Sequence, residues 1–340
     1  TVSVLYWVSA TMTTPEVEDC LGMMGKAISV PEATNIKCSL ATLSASAGAP
    51  VQLWGKVEGY QADYYVAQAA SKVSPTDVDG RRTWASVDGG ITWVPLPQSA
   101  DISDEQKEFC AQLRGPYMGV PTYEYKVQRE LPPEEPAPVV QPDVEEEPAE
   151  EEGDAEEEEG EKEEGGEGEA EGEEDEGDKK PAVKRPKFRI LAMQETVRVA
   201  FFVVEHDRAC AIVPRSALIQ KTDGTIIVNR SFGGLDVAAA KNLRNYLHCV
   251  APSKTASRNV NVAQLFGSEF NAAWDVLVPV VADMPEGVWS AKYDALVNMV
   301  VVQNHLFAGS TFWHKPGTGK MGQMYWGKGE RNLDLCFALP

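Results

Sequence analysis

The sequence predicts an α+β fold: a mostly antiparallel β-sheet with a few packed helices, interrupted by a long disordered acidic insertion. Short runs rich in β-branched and aromatic residues recur in pairs around Gly- and Asp-bearing turns, which is the pattern of hairpins. Amphipathic stretches do not alternate strictly with these runs, and most connections are too short for parallel crossovers. No unit recurs at a fixed period, which argues against a solenoid or propeller. Between the two sets of strands lies a run of Glu, Gly and Ala.

That run carries the chain's acidity. The 340 residues hold 31 Lys+Arg against 52 Asp+Glu, a formal charge of -21. Between Asp143 and Asp178 there are 23 acidic residues and one base, Lys162, so this segment carries -22 and the remainder +1. After Val144 the run has no aromatic or branched apolar residue, so it cannot bury enough surface to offset chain entropy and is expected to be disordered. Prolines from Pro132 to Pro142 precede it, Pro148 lies near its start, and a Lys/Arg/Pro cluster from Lys179 to Lys187 comes after it. The expected organisation is an N-terminal half at 1–130, a tether at 131–186 and a C-terminal half at 187–340, the halves packed as one globular unit. A near-neutral folded part has no long-range field to steer toward phosphate, so nucleic acid is not an expected partner.

Along the chain, a helix is expected at about 15–28, with Pro15 in its first turn. Val51–Tyr60 and Tyr64–Ala67 form the first expected hairpin. Arg82–Val87 and Ile91–Val94 form the second, around Asp88-Gly89-Gly90. A helix at 102–113 takes Ser103 or Asp101 as its cap. Beyond the tether, Val197–Val204 is rich in branched and aromatic residues and reads as a strand. It leads through Glu205-His206-Asp207 into a partner strand at Cys210–Val213. Asp223-Gly224 marks a turn before a strand at Thr225–Asn229. A helix from Asp236 to about His248 presents Val237, Ala240, Leu243, Leu247 and Val250 on one stripe, with Lys241, Arg244, Asn245 and His248 opposite. Another helix is expected at about 261–278, then strands near 287–293, 296–303, 310–315 and 321–326.

The chemical motifs lead nowhere specific. Gly317-Thr-Gly319-Lys-Met-Gly322 spells a dinucleotide fingerprint, yet strand-like segments flank it on both sides, where phosphate binding needs a strand before and a helix after. It reads as a hairpin turn. Met321 also stands where a P-loop needs Ser or Thr. His206, His248, His305 and His314 show no ligand spacing with one another or with Cys, so each is assigned a structural or solvated role. A Cys–His nucleophile pair would have to meet in the fold. Asn229-Arg230-Ser231 matches a glycosylation acceptor without a secretory context. Cys20, Cys38, Cys110, Cys210, Cys249 and Cys336 are scattered and read as reduced, intracellular thiols. No apolar run is long enough for a membrane span, and no membrane partner is expected. No catalytic, cofactor-binding, metal-binding or interface residue is nominated. The pairs Tyr64/Tyr65, Phe312/Trp313 and Tyr325/Trp326 fall on neighbouring strand positions that point to opposite faces. One member of each is therefore expected to face a second layer, a partner or solvent.

Several blocks are recognisable together: Leu53-Trp-Gly-Lys-Val57, Ala62-Asp-Tyr-Tyr-Val-Ala67, Tyr117–Tyr125, Ala211-Ile-Val-Pro-Arg-Ser-Ala-Leu218, Val228-Asn-Arg-Ser-Phe232, Asn245–His248, Gly309-Ser-Thr-Phe-Trp-His314 and Tyr325–Leu335. In these the chain resembles the radial spoke head protein 9 family, over about 51–125 and 196–340. The related spoke head proteins 4 and 6 share the tryptophan-glycine-lysine and aspartate-tyrosine-tyrosine features. The resemblance implies a non-enzymatic subunit of the radial spoke head in motile cilia and flagella, reached from the cytoplasm and located in the axoneme. There it would help relay mechanical signals from the central apparatus to dynein arms. It implies the 4/6-type proteins and the MORN-repeat spoke head protein as partners, with two copies in a two-fold symmetric head and no cofactor. An acidic scaffold or chaperone holding a basic partner on 143–178 is the competing reading of the same chain.

Overall fold

A computed structural model describes residues 15–130, 188–251 and 260–338. The expected tether at 131–186 lies outside the described residues. In chain order the helices are α1 (Pro15–Met23), α2 (Val30–Ala47), α3 (Asp104–Gln112), α4 (Glu195–Cys210), α5 (Val237–Ala240), α6 (Val262–Phe266) and α7 (Leu335–Ala338). The first strands are β1 (Val51–Val57), β2 (Tyr64–Ala69), β3 (Arg82–Ser86), β4 (Val94–Pro95) and β5 (Glu124–Glu130). After the insertion come β6 (Phe188–Gln194), β7 (Ile212–Pro214), β8 (Leu218–Gln220), β9 (Ile226–Val228) and β10 (Tyr246–His248). The last four are β11 (Trp289–Asp294), β12 (Met299–Asn304), β13 (Ser310–His314) and β14 (Met321–Gly327).

Eight strands form one sheet in the order β11-β12-β13-β14-β1-β2-β3-β4. Its strand pairings are antiparallel except β1 with β14, which run parallel with Gly55 opposite Tyr325 and Val57 opposite Gly327. This mostly antiparallel α+β architecture is the one the sequence predicts. One compact unit comprises the described residues through Tyr125 and from Ala192 onward; the second, Lys126–Leu191, is described only at its two ends, which fall in β5 and β6. β5 pairs with β6, β7 with β10 and β8 with β9 in two-stranded sheets.

Both faces of the large sheet are covered, as strands of alternating large apolar residues require. Tyr64, Val66, Val300, Val302, Phe312 and Tyr325 pack against Val199, Phe202, Val203 and Cys210 of α4. On the other face Tyr65, Ala67, Met299, Val301, Trp313 and Trp326 pack with Val17, Cys20 and Leu21 of α1 and Ile36 and Leu40 of α2. All six members of the three aromatic pairs are therefore buried. The second layer that accounts for them is the protein's own helices. β1 serves both layers because a bulge between Leu53 and Gly55 inserts Trp54. Val51 and Leu53 point to the α1/α2 side, whereas Trp54 and Val57 point to α4. An extra residue in one strand shifts the two-residue alternation and re-aims the side chains beyond it.

Several local expectations change. The expected helix at 15–28 ends at Met23, and α2 comes after it unforeseen. The sequence signal for α2 is the capping box in which Ser29 Oγ accepts the Glu32 N–H and the Glu32 carboxylate accepts the Ser29 N–H. The segment 197–204, expected as a strand, lies in α4. Buried Glu195, Arg198, Val199, Phe202, Val203, His206 and Cys210 recur at helical spacing, but the polar members of that stripe disguise it. The helix expected from Asp236 to His248 keeps its Asp236 cap and stops at Ala240. Asn242 caps the next 3-10 turn, and Asn245 Nδ2 bonds Ala239 O, the local competition by which Asn disfavours helix interiors. Tyr246–His248 then leaves as β10 to pair with β7. The helix at 261–278 shortens to α6, ended at Gly267 with φ 55°. The strand expected at Ile91–Val94 shrinks to β4, and the one expected at Cys210–Val213 starts at Ile212 as β7 and pairs with β10 instead of 197–204. Expectation and structure agree at the hairpins β1/β2 and β11–β14, the turn at Gly89 and Gly90 with φ 72° and 84°, and Ser103 as the cap of α3.

Candidate functional site

The assembled chemistry of the described residues lies in buried carboxylate centres. At the end of α4 the Asp207 carboxylate, 1 % exposed, accepts Trp54 Nε1–H at 2.7 Å on one oxygen. Its other oxygen accepts Gln68 Nε2–H and Arg81 Nη1–H, each at 2.8 Å. Burial pushes this carboxyl up. The Arg81 charge, with the His206 and Trp54 hydrogen bonds, outweighs burial and brings it down to about 2. At the start of α4, Glu195 accepts the Tyr64 hydroxyl at 2.7 Å, the Tyr125 hydroxyl at 2.8 Å and the backbone N–H groups of Met118, Gly119 and Val120. Burial first, then Glu195, raises both phenols, Tyr125 to about 12, so each keeps the proton it donates. Elsewhere Arg215 grips Asp275 through two bonds of 2.7 Å, and Asp283 is held by His248 at 2.9 Å and Trp289 Nε1 at 2.8 Å.

One arrangement has the order of a hydrolase triad. His206 Nε2 lies 2.9 Å from Ser310 Oγ and its Nδ1 3.3 Å from Asp207 Oδ1. Acyl transfer needs the hydroxyl to meet a substrate carbonyl beside oxyanion donors. Here His206 is 0 % and Ser310 3 % exposed, and the imidazole is enclosed by Trp54, Tyr325, Phe307 and Phe202 at centroid distances of 4.9 to 6.1 Å. The adjacent cavity of about 110 Å³ is lined by Trp54, Arg81 and Asp207, with neither His206 nor Ser310 on its wall. The three polar groups satisfy one another inside an aromatic cage.

The histidines are distributed differently from expectation. His206 sits in a helix rather than a turn, and His248 is buried in β10 rather than on a polar helix face. His305 bonds Ser290 Oγ at 2.9 Å. His314, at the end of β13, accepts the Leu235 N–H at Nε2 and faces Lys320 O with Nδ1, both at 3.1 Å. Those two backbone partners assign its tautomer. Gly317–Lys320 lies in the connection between antiparallel β13 and β14, Met321 and Gly322 open β14, and the Gly317 N–H bonds Leu235 O at 2.8 Å. Among the described residues, no group of three His, Cys, Asp or Glu could hold a metal. No helix among them is long and apolar enough to cross a membrane. Burial pushes the thiols of Cys20, Cys110 and Cys249 to about 12 and that of Cys210 further up, so these four are not activated as thiolates. Sequence reasoning nominated neither Glu195 nor Asp207. Apart from His206 beside Asp207, their partners lie 70 to 153 positions away, and only the fold brings them together.

The fold and its inward-turned centres define an α+β scaffold whose assembled polar chemistry serves its own interior. No family model matches the chain. Curated relatives do. A Danio rerio protein is 30 % identical over 289 residues, 85 % of this chain and 84 % of the relative. Bos taurus and Homo sapiens proteins are 29 % and 28 % identical over the same shares. Each is named radial spoke head protein 9 homolog. The chain belongs to the radial spoke head protein 9 family.

Proposed function

We propose that this protein is a non-enzymatic structural subunit of the radial spoke head in the axoneme of motile cilia and flagella. Similarity to relatives of that name along 85 % of the chain carries this reading. The geometry supports it: Trp54, Tyr64, Met118–Val120, Tyr125, Ser310 and Tyr325, from the sequence blocks that carry the resemblance, converge on α4. They build a rigid joint rather than an open catalytic cleft. Its partners on this reading are the 4/6-type spoke head proteins and the MORN-repeat spoke head protein. Two copies stand in a two-fold symmetric head that meets the central apparatus and relays mechanical signals to dynein arms.

Cryo-electron tomography of cilia lacking the protein tests the reading. Spokes are expected to lose or collapse their heads while the dynein arms remain. Complete spoke heads in its absence would contradict it.

A further inference from the structure

We propose that the cleft between α3, α4 and the loop at 328–333 docks an acidic segment of a partner protein that also carries a large apolar side chain. The cleft has a volume of about 290 Å³ and apolar walls from Phe201, Phe202, Phe307 and the exposed Leu333. Arg114, Arg198 and Arg331 also line it. Among the described residues none of the three has a carboxylate at ion-pair distance. Arg114 bonds only the carbonyl of Leu113.

Arg198 is the informative one. It is 3 % exposed, and its guanidinium bonds Gly115 O at 2.7 Å, the Tyr125 hydroxyl at 2.9 Å and Pro116 O at 3.4 Å, over the Tyr117 ring at 4.1 Å. Glu195 reaches it only at one remove, through that Tyr125 hydroxyl. With only that neutral hydroxyl between it and Glu195, the buried guanidinium shares a counter-charge but has no carboxylate in direct contact. An incoming carboxylate supplies the direct contact, and Arg114 and Arg331 hold its neighbours at the rim.

The acids on the wall are already engaged: Glu205 with Arg208 at 3.2 Å, and Glu330 with the Gly115 N–H at 2.9 Å. The apolar walls select among acidic occupants. A polyphosphate backbone gains nothing from Phe201 or Leu333. The chain's own run at 143–178 has charge but, after Val144, no aromatic or branched apolar side chain. A partner peptide that combines Asp or Glu with Phe, Leu or Trp fits both features. This assignment does not rest on the spoke-head reading.

The experiment selects short random peptides from a displayed library on the immobilised full chain and, in parallel, on its Arg114→Glu/Arg331→Glu variant. Both side chains are exposed, and a thermal melt checks that the variant folds. The expected result is enrichment of sequences joining acidic and large apolar residues. A labelled consensus peptide should then bind the full chain in fluorescence anisotropy about tenfold or more tightly than it binds the variant or a Leu333→Asp chain. The proposal is overturned by selection that enriches nothing, by enriched sequences without acidic residues, or by equal affinity for the variants. Tighter binding of a single-stranded oligonucleotide, or of a peptide copying the chain's own Glu/Gly run, overturns it too.

Discussion

Trp54 Nε1 donates to Asp207 Oδ1 at 2.7 Å across 153 positions of sequence, tying the bulge of β1 to the last turn of α4. Removing either partner leaves the other buried and under-bonded. Asp207→Ala strands the Arg81 guanidinium and is expected to cost about 3–5 kcal/mol, lowering Tm by on the order of 10 °C. Trp54→Phe keeps most of the packing and loses one charge-assisted bond, about 1–3 kcal/mol. Urea titration and calorimetry check both values. A wild-type melting curve for Asp207→Ala would remove this centre from the account.

Stability should fall in two acid windows. Burial lowers His314 below the ordinary histidine range, so the unfolded chain binds its proton first. Its contribution is present above about pH 6.5 and lost as pH falls through that value toward the folded pKa. Asp207, at about 2 when folded, contributes fully above about pH 4 and loses that contribution as pH falls toward 2, a term on the order of 2 kcal/mol. Denaturant midpoints measured from pH 7.5 to 2.5 should show both slopes. His314→Asn should flatten the first and Asp207→Asn the second.

A thiol titration distinguishes surface from core. Cys38 and Cys336 are exposed, whereas Cys20, Cys110, Cys210 and Cys249 are buried. An aromatic disulfide reagent should modify two thiols rapidly in the native protein and all six after denaturation. Rapid reaction of a third native thiol would mean that one of the covering layers opens.

The parallel contact of β1 with β14 depends on a residue without a side chain. A Cβ on Gly55 would lie 2.1 Å from the carbonyl oxygen of Tyr325. Gly55→Ala must push the two strands apart, with an expected loss of roughly 2–4 kcal/mol. Gly89→Ala, at an open turn, should cost about 1 kcal/mol through its positive φ alone.

Much of the sheet was legible in the sequence because hairpins advertise themselves locally. Alternation brackets a Gly- or Asp-bearing turn in β1/β2 and β11–β14, and Ser103 announces α3. The misread segments depended on distant partners. Val197–Val204 has strand composition but lies in a helix because the large sheet offers a face for Val199, Phe202 and Val203 to cover. Tyr246–His248 continues an apparent helical stripe but leaves it because β7 offers a pairing edge. The α2 capping box at Ser29 and Glu32 is a local signal that the chain does carry. Glu195 and Asp207 were not readable, because an acid looks solvated until its donors arrive from the other side of the insertion.

Residues 131–186 are proposed to be dispensable for folding. β5 and β6 are paired strands, so a short turn can replace the long connection between them. By the logarithmic closure rule, the shorter loop recovers about 2 kcal/mol of chain entropy. A Gly-Ser replacement should melt at or slightly above the full chain, and a clear drop in Tm would assign the insertion a structural role.

Affinity purification of the tagged protein from salt-extracted, isolated axonemes tests the functional account most directly. The account predicts that the 4/6-type and MORN-repeat spoke head proteins co-purify with it in fixed ratio. Recovery of the protein without spoke head proteins, or its absence from axonemes, would contradict the account.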